Sequence, residues 1–192
     1  MHNKIHFILK TIFIFFFLID ITLANIAKSL IKKINTTETL SFNFTQIISE
    51  KKETGKCYVK YPKLLMCDYN DAYEKRLISN GRTIAIIQKR YKKIFYYPLK
   101  TTPLNTILDK KFLKNFINSH QPTKVNGKHI MYEIKYQNKN KLIILFDNKT
   151  FNLIGWKTID IYNNEVQFLI TNLKVNPSID EKIFIIPDEN KL

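Results

Sequence analysis

Along this chain the spacing of apolar residues starts helical, becomes alternating, turns helical once more and then alternates to the end. Ile26, Ala27, Leu30, Ile31 and Ile34 recur at spacings of three and four, with Lys28, Lys32 and Lys33 on the other side, which predicts one amphipathic helix. Leu40, Phe42 and Phe44 then alternate with Ser41, Asn43 and Thr45, as in a strand with one apolar face. Strand patterns continue over 54–61 and 63–70, with a turn at Pro62 between them. Asn80-Gly81, between 76–79 and 82–87, is a strong hairpin signal and sets Leu77 opposite Ile84. Pro103 opens a second helical stretch, in which Leu104, Ile107, Leu108, Phe112, Leu113, Phe116 and Ile117 recur at helical spacing before Pro122 stops it. Strands over 129–136, 142–146, 153–162 and 166–175 follow, separated by turn signals at Asn126-Gly127, Asn138-Lys139-Asn140, Asp147-Asn148 and Asn163-Asn164.

Many strands with few helices between them exclude a parallel sheet, because each parallel step needs a crossover. The pattern predicts a mainly β (α+β) chain, a strongly curved antiparallel sheet or open barrel with helices lying over one side; if both layers turn apolar faces inward, the helices fill the enclosed volume as an ordinary core or leave part of it as an apolar cavity. No internal repeat, Ser/Gly linker or low-complexity block divides it, so residues 25–192 are read as a single domain.

The first 24 residues are read separately. Lys4 and Lys10 form a basic start, 12–19 an apolar stretch rich in Phe, and Thr22-Leu23-Ala24 a small-residue exit, the layout of a cleaved signal peptide. The apolar run is far short of the roughly 20 residues a spanning helix needs. Asn25, not Cys, follows the expected cut, so no lipid would be attached there and the expected product is a soluble monomer in the periplasm. The leader carries Lys4 and Lys10 against Asp20, a net +1, so +14 of the formal +15 stays with the mature chain. Such a surplus admits a polyanion-binding reading, but the lysines are scattered through a chain rich in Lys, Asn and Ile throughout, and nucleic acid is not the expected partner.

Reactive constellations are missing. After the leader, only His120 and His129 remain as histidines, and no Gly-x-Ser-x-Gly elbow occurs among the 4 glycines. Cys57, Cys67, His120 and His129 lack zinc-site spacing, and there is no phosphate loop or dinucleotide fingerprint. No catalytic residue, metal or cofactor is expected. If the strands around Pro62 pair as a hairpin, Cys57 and Cys67 fall opposite each other; a cross-strand disulfide and two buried thiols both fit that placement. With 14 Phe and 10 Tyr, the chain has apolar side chain enough to line a cavity as well as a core.

Several motifs then occur in a telling order: Phe42-Asn-Phe44-Thr-Gln46; Gly55 followed by Val59-Lys-Tyr61-Pro62 and Leu65; Ser79-Asn-Gly81-Arg; Pro98-Leu; and Thr102-Pro103-Leu104 running on to Leu108. In this order and spacing the chain resembles the LolA-type outer-membrane lipoprotein carriers. The resemblance implies an open, incomplete antiparallel β-barrel with a helical lid over an apolar cavity, a carrier without enzymatic activity, and acylated lipoproteins as cargo. It implies two exchange partners, an inner-membrane ABC transporter that releases lipoproteins and an outer-membrane acceptor lipoprotein. The acyl-chain cavity is expected from Phe42, Phe44, Val59, Leu65, Leu77, Ile84 and Ile86, and the lid that fills it in the free protein from Leu104, Leu108, Phe112 and Phe116. The family's latch position, an Arg before the motif's Pro, is Tyr61 here; a Tyr hydroxyl offers one hydrogen bond in place of a charged fork. A carrier of another envelope lipid or glycolipid on the same fold is the alternative reading, beside the polyanion binder.

Overall fold

The computed structural model describes residues 23–136, 141–160 and 162–192. The leader up to residue 22 and the Asn138-Lys139-Asn140 turn lie outside the described residues. Leu23 and Ala24 begin the first helix, α1, which spans residues 23–36 and buries Leu30 and Ile34. It stops where Thr36 and Thr37 turn their hydroxyls back to donate to the carbonyls of Lys32 and Lys33.

Six strands follow: β1 (Thr39–Ile48), β2 (Lys51–Lys60), β3 (Leu64–Tyr69), β4 (Lys75–Asn80), β5 (Thr83–Gln88) and β6 (Lys93–Pro98). The helical stretch is two helices, α2 (Pro103–Ile107) and α3 (Lys110–Ser119), and the chain closes with β7 (Lys124–Val125), β8 (His129–Lys135), β9 (Lys141–Asp147), β10 (Leu153–Ile159) and β11 (Glu165–Val175). All 11 strands form one antiparallel sheet in the order β6-β5-β4-β3-β2-β1-β11-β10-β9-β8-β7. The last long strand thus lies against the first, while β6 and β7 at the two ends do not meet. The sheet is therefore not closed into a barrel.

Bulges curve this sheet. β1 shifts register against β11 between Ser41 and Asn43, and β10 shifts against β9 between Leu153 and Gly155. Gly155 has φ +151°, and a Cβ there would stand 2.2 Å from the carbonyl oxygen of Phe168. Gly55 serves packing: its missing side chain lets the Phe44 ring lie over β2, where a Cβ would come within 2.6 Å of that ring.

The apolar residues of the concave face meet α1, α2 and α3 in the main core, from Leu30 and Ile34 through Phe42, Val59 and Leu65 to Leu113, Ile117 and Phe168. A second, smaller core lies on the convex face, where Met66, Ile78, Ala85, Ile87 and Ile94 are covered by Phe184 and the segment after β11. The alternation of the strands did not announce that second cover, because Phe184 lies in a single 3-10 turn (Glu181–Phe184), too short to carry a periodic pattern.

One register expectation is corrected. Leu77 faces Ile86, and Ile84 faces Ser79. The Asn80 carboxamide oxygen accepts from the amides of Arg82 and Thr83, so Asn80 ends the strand and the tight loop is Gly81-Arg82. A shift of two residues leaves every side chain on its own face. Leu77, Ile84 and Ile86 therefore still share the concave side.

Candidate functional site

Between the two halves of the curved sheet, under the start of α2, lies a cleft of 320 Å³. Leu65, Cys67, Leu77, Ile84 and Ile86 of β3–β5 form one wall, Trp156, Val166 and Phe168 of β10 and β11 the other, and Pro103 and Leu104 the roof. The second wall is built by stacking: Phe168 lies between Trp156, 4.0 Å away, and Phe44, 4.8 Å away, and Phe44 meets Tyr69 edge-on at 4.8 Å. Gln46, Tyr69, Thr102 and Thr158 supply polar groups around the opening. The Tyr69 hydroxyl donates to the Gln46 carboxamide oxygen at 3.0 Å, and burial, reinforced by the charges of Glu53 and Asp71, raises its pKa well above the usual phenol value.

Two smaller spaces continue inward. One of 10 Å³ lies under Leu104, Ile107 and Leu108 against Phe42, Val59 and Leu65; another of 30 Å³ lies between α1 and α3, bounded by Ile34, Leu40 and Leu113. Tyr61 borders both, and Leu65, Leu104 and Trp156 border the first of them together with the main cleft. The three spaces are neighbours beneath the helices, separated by the side chains they share.

Of the residues expected at the cavity, Leu65, Leu77, Ile84 and Ile86 line the cleft, and Phe42 and Val59 line the small space behind it. Phe44 lies behind the wall, supporting Phe168. Of the four lid residues named from the sequence, Leu104 borders the cleft and the small space behind it and Leu108 borders the small space, whereas Phe112 and Phe116 border neither. Phe112 is 41% exposed, and Phe116 stacks on Phe112 and His120 and meets Tyr132 edge-on, away from the cleft. The reason is Asp109, which breaks the helical stretch: its carboxylate caps α3 by accepting from the Phe112 amide at 3.0 Å, and the restarted helix turns Leu113 and Ile117 inward.

The lid is latched by lysines. Lys110 Nζ donates to the carbonyls of Asn35, at 3.2 Å, and Thr37, at 2.8 Å, and to Glu38 Oε1 at 3.0 Å. It also stands 5.7 Å from the centre of the Tyr61 ring. The Lys63 amide donates to the Leu108 carbonyl at 3.1 Å, and Lys63 Nζ pairs with Asp109 Oδ2 at 3.3 Å. Burial works to raise the Asp109 pKa, but hydrogen bonds from the Phe112 amide and Lys63 hold it below the usual carboxylate value. Among the described residues the Tyr61 hydroxyl bonds nothing in the lid; the ring packs, and burial pushes its pKa up to about 12. These hydrogen bonds and ion pairs between the lid and its surroundings thus come from Lys110 and Lys63, not from the Tyr61 hydroxyl.

Cys57 and Cys67 sit directly opposite each other on β2 and β3 and are joined as a disulfide beside the cleft. Sequence patterning missed the wall formed by Trp156, Val166 and Phe168, although the alternation of Val166, Phe168 and Ile170 marked those residues as one face of a strand. Among the described residues no group of three or more His, Cys, Asp or Glu is placed to hold a metal.

An open antiparallel sheet, a helical lid and an apolar cleft between them define a binding protein of the lidded half-barrel class. The chain belongs to the family described as outer membrane lipoprotein carrier protein LolA, whose model matches residues 35–187. An uncharacterized conserved protein from Thermus thermophilus has the same fold, with a TM-score of 0.52 at 7% identity, over 85% of this chain and 94% of that one. A LolA superfamily protein from Nitrosomonas europaea has a TM-score of 0.45 at 11% identity, over 83% of this chain and 97% of that one. Mycobacterium tuberculosis lipoprotein LppX has a TM-score of 0.44 at 10% identity, over 84% and 98%. No curated protein matches the chain by sequence.

Proposed function

We propose that this protein is a periplasmic carrier that holds an acyl chain of a lipoprotein in the cleft under α2 and ferries the lipoprotein from the inner membrane to the outer membrane. The observation that carries the reading is the cleft itself: 320 Å³, walled by aliphatic and aromatic side chains and roofed by a short helix. That volume is at the low end of the roughly 300–1,000 Å³ of ligand pockets. One chain segment fits as the cleft stands, and more requires Leu104 and Leu108 to move aside.

Burial contributes about 0.8 kcal/mol per CH₂. A rigid, empty pocket would therefore hold cargo too tightly to release it. Here the cargo displaces lid side chains that are themselves buried, so net affinity is the difference between two burials and delivery needs no energy input at this step. No catalytic step is involved. An inner-membrane ABC transporter that loads the carrier and an outer-membrane acceptor lipoprotein that unloads it are the partners this reading requires.

The test is to add the exported protein to spheroplasts carrying the native transporter and to follow newly made lipoproteins. Release into the supernatant as a soluble complex supports the carrier reading. Lipid without a peptide part in the recovered complex would assign it to another envelope lipid. No bound lipid of either kind, from a folded protein, would refute it.

A further inference from the structure

At the open end of the sheet next to the cleft, the surface changes character. Of the nine large apolar side chains exposed among the described residues, five lie here: Tyr73, Tyr91, Phe95, Tyr96 and Tyr97, each between 43% and 55% exposed. Interleaved with the last four are Lys89, Arg90, Lys92, Lys93 and Lys100, and the segment 89–100 contains no acidic residue. Among the described residues none of these five cations is in a salt bridge, whereas Lys51, Lys60, Lys63, Lys75 and Lys110 are.

The arrangement of the rings narrows what can dock there. β6 pairs with β5 on one side only, so it is an edge strand. Alternation puts Phe95 and Tyr97 on the concave face, beside Ile86 and Ile84, and Tyr96 on the convex face beside Ala85. The rings therefore flank the strand as a wedge and offer no flat platform for stacked bases. Pairing of an added peptide strand is obstructed as well. The outward amide of Ile94 already donates to Glu189 Oε1 at 3.1 Å, and Pro98, on the same side by the period of two, has no amide hydrogen. Half-exposed Tyr and Phe among unpaired cations instead match a bilayer interface, where rings enter the headgroup layer and cations meet anionic lipid.

We propose that the edge strand β6, with the β5–β6 turn before it, is a docking surface for anionic phospholipid membranes. Tyr97 belongs both to this surface and to the lining of the cleft. A carrier seated by β6 would therefore hold the mouth of its cleft at the depth where acyl chains leave or enter the bilayer. The purpose given to the docking rests on the carrier reading; the docking itself does not.

The experiment is sedimentation with vesicles of phosphatidylcholine with and without phosphatidylglycerol, using protein purified from one expressing host with the same N-terminus in every variant. Binding is expected on the mixed vesicles, falling with added salt and absent on phosphatidylcholine alone. At about a factor of five for each cation near an anionic surface, Lys89→Ser, Lys92→Ser and Lys93→Ser together should weaken binding on the order of a hundredfold. Both cysteines being paired, Tyr96→Cys offers one thiol for a polarity-sensitive fluorophore, whose emission should shift to the blue on the mixed vesicles. Leu77→Glu, which blocks the cleft, should lose lipid uptake and keep vesicle binding, so failure of the carrier reading and failure of docking are separable. Equal binding of wild type and triple variant, or no label shift, overturns the proposal. So does wild-type binding to a single-stranded oligonucleotide without binding to vesicles, which would make the surface a nucleic-acid site.

Discussion

The ammonium of Lys110, in the first turn of α3, donates a 2.8 Å hydrogen bond to the carbonyl oxygen of Thr37, just beyond the end of α1. Together with the Asn35 carbonyl and the Glu38 carboxylate, this one side chain ties the lid to the helix beside it. It remains only 17% exposed, so its bonds are poorly screened by solvent. Lys110→Met keeps the stem and removes the charge. Expected are a loss of about 1–3 kcal/mol of stability and faster entry of an apolar fluorescent probe. Thermal unfolding and stopped-flow uptake measure the two; unchanged uptake would show that the lid is latched elsewhere.

Asp109 breaks the helical stretch and caps α3. Asp109→Ala should cost about 1 kcal/mol and free the first turn of α3, seen as faster amide exchange at Phe112. The folded protein holds the Asp109 pKa below its unfolded value, so its contribution is present above the unfolded pKa and is lost as pH falls through the folded one. Stability of the wild type should therefore fall toward acid more steeply than that of Asp109→Ala.

Trp156 is the protein's one tryptophan and lies 8% exposed in the cleft wall, stacked on Phe168. A brominated acyl chain entering the cleft should quench its fluorescence. Leu77→Glu, on the opposite wall and only half-buried, should abolish that quenching with the far-ultraviolet circular dichroism unchanged. Quenching retained in the folded variant would remove the cleft from the binding path.

The bridge between Cys57 and Cys67 spans a sequence separation of 10 and joins adjacent strands next to the cleft. Replacing both by Ala should lower stability by about 2–3 kcal/mol. Native protein should show no titratable thiol before reduction.

The strands, their faces and α1 could be read from the chain because each rests on local periodicity. Phe42 and Phe44 alternate, Leu30 and Ile34 repeat, and Asn126-Gly127 and Asn163-Asn164 mark turns whatever surrounds them. The hairpin at Pro62 placed Cys57 against Cys67 because a short turn sets the register of the strands it joins. At Asn80-Gly81 the same reasoning missed by two residues, because the Asn80 side chain capped the turn and did not enter it.

The helical stretch after Pro103 shows where local reading stops. Leu104 and Phe116 have the same spacing signature, but Asp109 restarted the helix between them and only Leu104 faces the cleft.

By itself, then, the sequence determined an alternating chain with a helical interruption, and so an antiparallel sheet with helices over one side, because side-chain period and turn chemistry act over a few residues. Only the tertiary structure decided which residues meet across the cleft. Leu77 and Trp156 are far apart along the chain, and their shared cleft depends on β11 pairing with β1 and on the bulges that bend the sheet. The latch was decided there too: Lys110 is one lysine among many in the sequence, and the carbonyls it binds are brought to it only by the packing of α3 against the end of α1.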